Sequence, residues 1–388
     1  MLKNKNKGIT LIALVITIII LLILAGISIS ALTNQGLFKN AKIAQNATEK
    51  AEKEQGQRLN EYEDEINKYL GNSKDESKDE TKGITVEEAI KKNGALSTTD
   101  NTELKDAKNN KIVVPAGFKI VEGATTVDKG IVIEDVTETA TKGSQFVWIP
   151  VGKITKADGT TTTITLGRYD FNSTTGVESA YTGKFVEEDS NDTSTLKKYG
   201  NTIAKNITNF KNSVATNGGY YIGRYEARTA TARSAKTDAL TQITEKGTEN
   251  VYNYVKQIQA AQLSQNMYNS DKFTSDLMNS YAWDTAIVFI QNCGTNNKYS
   301  RQNSLNTTLL QTGTNSLTDT SKIDVQCNIY DMASNIQEWT TETSNDSSYP
   351  CVVRGGVYNI SYNYTSGRNG SSTSSSSAIT GFRPLLYL

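Results

Sequence analysis

The chemistry open to this chain is bounded first by what it lacks. Its 388 residues include no histidine. That excludes Ser-His-Asp and Cys-His catalysis, HExxH zinc sites and histidine-bound iron or copper. Three cysteines are present, Cys293, Cys327 and Cys351. An odd count leaves at least one thiol unpaired within a monomer. Cys327 and Cys351 could bridge neighbouring strands, or all three could be small buried hydrophobes. The formal net charge is zero, which gives no reason to expect nucleic acid as a partner. What remains is a polar aromatic run from Val357 to Thr380, VYNISYNYTSGRNGSSTSSSSAIT, enclosed by Arg354-Gly355-Gly356 and Gly381-Phe382-Arg383. By composition alone it would pass for a linker. Tyr, Ser, Asn and Gly are also the residues of adaptable binding surfaces. Bracketed by two motifs and followed by the apolar Pro384–Leu388, the run reads as a ligand-binding face on a folded scaffold.

The elements that must hold such a face fall after residue 83. A short helix is expected over Ile84–Asn93, and strands over Lys111–Ile120, Gly130–Glu134, Gln145–Gly152 and Tyr220–Ala227, from apolar alternation bounded by turn residues. Pro115-Ala116-Gly117 predicts a turn inside the first of these strands. Helices are expected over Asn250–Met267 and Ser280–Gln291, the latter with Trp283, Ile287 and Ile290 on one face. Residues 153–218 are polar and rich in Thr, Asn and Asp, and read as a surface insertion. Few regular elements are expected after Asn328.

The N-terminal part reads differently. Lys3, Lys5 and Lys7 precede Gly8, and Ile9–Leu32 carries no charge. As a helix this stretch would be roughly 36 Å long, enough for a bilayer core of about 30 Å. The lysines favour a cytoplasmic N-terminus. Residues 33–70 continue as a stalk helix, with Ile43, Ala47, Ala51, Leu59, Tyr62, Ile66 and Tyr69 on one face. The segment 71–83 is a charged linker. The expected localisation is therefore a single-pass cell-membrane protein with an outer domain spanning 84–145 and 146–388.

Two resemblances sharpen this picture. KGITLIALVITIIILLILAG resembles the start of a type IV prepilin, which implies cleavage between Gly8 and Ile9 and contact with other pilins. Ala13 stands where pilins carry a glutamate, which fits a minor subunit or an unpolymerised anchor. The phrases FVWIPVG (146–152), YYIGRYEA (220–227), YAWDTAIVF (281–289), NIYDMASNIQEWT (328–340), VVRGG (352–356) and GFRP (381–384) together resemble the formylglycine-generating-enzyme, or sulfatase-modifying-factor, superfamily. The fold class implied is α+β: a long N-terminal membrane and stalk helix, then a loop-rich C-type-lectin-like domain. The family's enzymes use two cysteines, matching about Ile360 and Thr365 here. Neither is cysteine, so no enzymatic activity is expected. The resemblance also implies a calcium site, with the side chains of Asp331 and Glu338 and the carbonyls of Ser334 and Ile336 as ligands. The alternative is that the two carboxylates accept hydrogen bonds from backbone, Arg354 or Arg383. Trp148 and Trp339 are expected in the core, and Arg354 and Arg383 as structural ion-pair donors.

The C-terminus resembles most the variable proteins of diversity-generating retroelements, whose variation falls between such motifs. The contacts this implies are Tyr358, Asn359, Ser361, Tyr362, Asn363, Tyr364, Asn369, Ser371, Ser372 and Thr373. The implied partner is a protein or glycan on another cell, phage or host surface. An ordinary polar lectin-like loop is the plainer reading. A structural minor pilin, or a protein-modifying oxidase, are the competing functions.

Overall fold

The computed structural model describes residues 83–187, 204, 206–310, 323–358 and 360–388. The expected leader, apolar helix 9–32, stalk 33–70 and cleavage pair Gly8 and Ile9 lie outside them. By contacts the chain divides into Met1–Glu80 and Thr81–Leu388, and all that follows concerns the second unit.

Ten strands build its two main sheets: β1 Phe118–Ile120, β2 Val132–Asp135, β3 Gln145–Pro150, β4 Gly219–Gly223, β5 Thr274–Leu277, β6 Gln337–Thr343, β7 Cys351–Arg354, β8 Arg368–Ser371, β9 Thr380–Phe382 and β10 Pro384–Tyr387. The six-stranded sheet has the order β5-β10-β4-β3-β2-β1 and is antiparallel throughout. The four-stranded sheet has the order β8-β7-β6-β9, with β6 and β9 parallel. Four helices flank them: α1 Val86–Lys92, α2 Ile207–Asn217, α3 Gln257–Gln265 and α4 Ser280–Cys293. Two-stranded ribbons make up the rest.

The core follows from the apolar strands. Residues Phe146 to Pro150 of β3 are buried throughout, and Trp148 faces Tyr221 of β4 with ring centroids 4.9 Å apart. Helix α2 packs Phe210 against Tyr220 and Tyr387, at 5.3 and 5.5 Å. Helix α4 is capped by Asn279, whose side chain accepts from Ala282 N, and it buries Trp283, Ile287 and Ile290. The two tryptophans expected in the core, Trp148 and Trp339, are fully buried.

Several expectations need correction. The α+β assignment gives way to a β-dominated unit: the helices span only 7 to 14 residues, among twenty short strands. The expected single-pass membrane localisation finds no support here, since its span, residues 9–32, lies outside the described residues. Among the described residues no helix is long and apolar enough to cross a membrane. The longest, α4, is about 21 Å at 1.5 Å per residue, short of a core of about 30 Å. The polar insertion 153–218 is more ordered than composition suggested. It holds ribbons Gly152–Thr155 with Thr161–Ile164 and Tyr169–Phe171 with Glu178–Ala180, and then α2. The motif-dense end contains a whole sheet where little regular structure was expected. The helix expected over 250–267 shortens to α3, with Asn250–Val251 paired as strand.

Candidate binding face

Strand β6, Gln-Glu-Trp-Thr-Thr-Glu-Thr, is buried at all seven positions. Buried carboxylates demand partners, and the arginines of the two flanking motifs supply them. Glu338 receives Arg383 through both oxygens, at 3.1 Å from Nε and 2.6 Å from Nη2. Glu342 receives Arg168, Arg354 and Arg368. Burial acts to raise the Glu342 carboxyl, but Arg354, Arg368 and Arg168 prevail and hold it below the usual range. Asp284, on α4, pairs with Arg354 at 2.6 Å and with Arg368.

These ion pairs pin the expected binding segment just before its start and again within it. Arg354 precedes it and Arg368 lies within it, and both reach Asp284 and Glu342. Arg354 Nε also donates to Gly367 O at 2.8 Å. Between the pins the backbone leans on residues 300–303. Thr365 N donates to Gln302 O at 2.9 Å, Ser366 Oγ to Ser300 O at 2.8 Å, and Asn303 Nδ2 to Ser361 O at 2.6 Å. Trp283 Nε1 donates to Thr365 O at 2.9 Å. The entry is set by Gly355 and Gly356. Gly355 has φ +83°, and a Cβ on Gly356 would lie 1.9 Å from Ala333 O.

The expected contact residues divide by exposure. Ser361 and Tyr362 are exposed, Tyr362 at 74%. Tyr358, Asn363 and Tyr364 are half-buried, and Asn359 lies outside the described residues. Asn369 and Ser371 sit two apart on edge strand β8, opposite Val353 and Cys351. Period-two alternation puts them on the face away from Arg368. Ser372 and Thr373 follow, half-buried, with Ser372 Oγ 3.0 Å from Ser374 Oγ.

Residues that sequence reading did not assign complete the surroundings. The ribbon 169–180 and its continuation bring Phe171, Tyr181 and Lys184 beside Gly367 and Arg368 around a cleft of about 430 Å³. Arg301 also lines the cleft and places its guanidinium 3.8 Å from the Tyr364 ring centroid. Arg301 lies more than sixty positions before Tyr364, and no local sequence signal joins them.

Of the calcium ligands implied by resemblance, the two carboxylates do not fit a cation as they stand. Both Glu338 oxygens are committed to Arg383. Asp331 is buried with neither oxygen hydrogen-bonded. Burial first, then Glu226 and Asp324, push its carboxyl well above the usual range, which favours a neutral acid. Among the described residues no group of three or more His, Cys, Asp and Glu is placed to hold a metal ion. The three cysteines are free thiols. Burial pushes the pKa of Cys293 and Cys351 up to about 12, and raises Cys327 as well.

No family model matches the chain, and no curated protein matches it. Among solved structures it is weakly similar to Treponema denticola variable protein 1, with TM-score 0.32 and 12% sequence identity over 64% of this chain and 98% of that one.

Proposed function

We propose that the chain is a ligand-binding protein of lectin-like β architecture, not an enzyme, and that Tyr358–Thr373 is its contact surface. One observation carries the reading. Buried ion pairs and backbone hydrogen bonds hold the segment at Arg354, Thr365–Gly367 and Arg368, while Tyr362 projects into solvent. A rigid frame with an exposed aromatic tip lowers the ordering cost of binding. The thiols, raised in pKa and therefore protonated at neutral pH, make poor nucleophiles, which speaks against thiol oxidation chemistry. A protein ligand suits the Tyr-rich tip, because aromatic anchors dominate protein contacts.

The test is a screen of the full-length chain against protein and glycan arrays, repeated with Tyr362→Ala combined with Tyr364→Ala. Binding lost in a variant whose circular dichroism is unchanged supports the reading, and binding retained refutes it. The finer proposal is that this segment is diversified by a retroelement. It predicts substitutions confined to codons 357–380 when the gene's 3′ end is sequenced across a population. A uniform 3′ end removes that part alone.

A further inference from the structure

Among the described residues, the cleft beside the contact segment carries more cations than carboxylates. Arg368 lines it, and behind Arg368 the buried pairs join Arg168 and Arg354 to the same two carboxylates, Asp284 and Glu342. At its rim stand Arg301 and Lys184, with Asp170 the lining carboxylate. Asp170 Oδ2 accepts from Thr182 N and Oγ1, at 2.9 and 3.0 Å. Among the described residues, five cations in or just behind the cleft thus meet three carboxylates, an excess of two positive charges. Glu187, beside Glu342, accepts from Ser280 N and Thr341 Oγ1, and burial pushes its pKa up to about 7, so it is mostly neutral only below that pH.

The cations are also laid on rings. Arg301 sits over Tyr364, Arg368 over Tyr181 at 4.1 Å, and Lys184 over Phe185 at 5.5 Å. Among the described residues neither Arg301 nor Lys184 has a carboxylate partner. A guanidinium stacked on a ring keeps its hydrogen-bonding edge open for a carboxylate.

The geometry points to this cleft as the binding site for an acidic side chain of a polypeptide ligand, with Arg301 as its fork and Lys184 as a second cation. This rests on the reading of Tyr358–Thr373 as the contact surface. The cleft lies next to that surface through Tyr364, Ser366 and Gly367 and would fix the register of a bound peptide. The charge count argues for one carboxylate rather than a polyanion, because of these five cations Arg301 and Lys184 are the two with no carboxylate partner among the described residues.

The experiment titrates the full-length chain with a fluorescein-labelled peptide of alternating Gly, Glu and Asp, followed by anisotropy. Controls are the matched Gln/Asn peptide and free glucuronate as competitor. The expected result is binding of the acidic peptide only, weakened by added salt, and about tenfold weaker in Arg301→Gln. Lys184→Gln gives a smaller loss and serves if Arg301→Gln fails to fold. Equal binding of both peptides, or binding unchanged in both variants, overturns the proposal. So does displacement by glucuronate at the peptide's own concentration, which would make the site one for sugar acids. Failure here leaves the contact surface standing if an array ligand is still lost in Tyr362→Ala, so the two readings fail separately.

Discussion

Glu342→Gln is the change that most directly tests how the binding segment is held. Glutamine keeps the shape and one acceptor oxygen. It converts the other oxygen into a donor facing arginine, leaves Arg354 and Arg368 with Asp284 as their remaining carboxylate, and leaves Arg168 with none among the described residues. Breaking a buried ion pair from one side costs about 3–5 kcal/mol, against a total stability of about 5–15 kcal/mol for a domain. For a unit as large as Thr81–Leu388 the melting temperature falls by roughly 2 °C per kcal/mol, or about 6–10 °C. The assay is urea denaturation followed by circular dichroism, with amide exchange over residues 357–367. The midpoint should drop and exchange in that segment should rise before global unfolding. The pH dependence has a definite sign. Glu342 titrates lower in the fold than its unfolded value of about 4.3. Its contribution is therefore complete above that value and is lost as pH falls through the lower folded one. The variant should accordingly lose less stability than the parent on acidification. Adding Arg168→Gln should recover part of the loss, since it removes one unmatched cation. A variant within about 1 kcal/mol of the parent at pH 7, or a double variant no better than the single one, would refute this account.

Two further changes probe the neighbouring motifs. Asp331→Asn should stabilise the protein at pH 8, because the buried carboxyl titrates above its unfolded value of about 3.9 and so loses stability as pH rises between the two. The gain over the parent should shrink to nothing near pH 3, as followed by thermal melts. A variant less stable at pH 8, or a calcium-dependent rise in the parent that the variant lacks, would restore the calcium reading. Gly356→Ala should cost about 3 kcal/mol or more, because its Cβ would meet Ala333 O at 1.9 Å and backbone on both sides must move. A melting temperature within 2 °C of the parent, the equivalent of about 1 kcal/mol, would show that the two segments separate easily there.

Much of the scaffold was legible because local pattern and tertiary burial agree. The apolar run at 145–150 became a central strand, and the face of Trp283, Ile287 and Ile290 became the buried face of α4. The arginines of RGG and GFR became ion-pair donors to buried acids. Helix α2 was missed although its signals are present: an Asn206 cap, Ile207, Phe210 and Val214 at helical spacing, and Gly218 at the end. Polar composition on either side masked it. The four-stranded sheet was missed for a different reason. Its strands bury Gln, Glu, Thr and Arg among Trp339, Val352, Val353 and Phe382, so no apolar alternation announces it, and ion pairing across distant segments makes the burial of those charges tolerable.

The sequence by itself determined the exclusion of histidine chemistry and the location of the polar aromatic segment between two arginine motifs. Those are facts of composition and order. It could not determine which residues would stand beside that segment. Only the tertiary structure brought Tyr181 against Arg368 and Arg301 against Tyr364, and only it committed Glu338 to Arg383. These pairs lie 45 to 187 positions apart in the chain. Contacts at that separation arise from how sheets and loops pack, and no local periodicity encodes them.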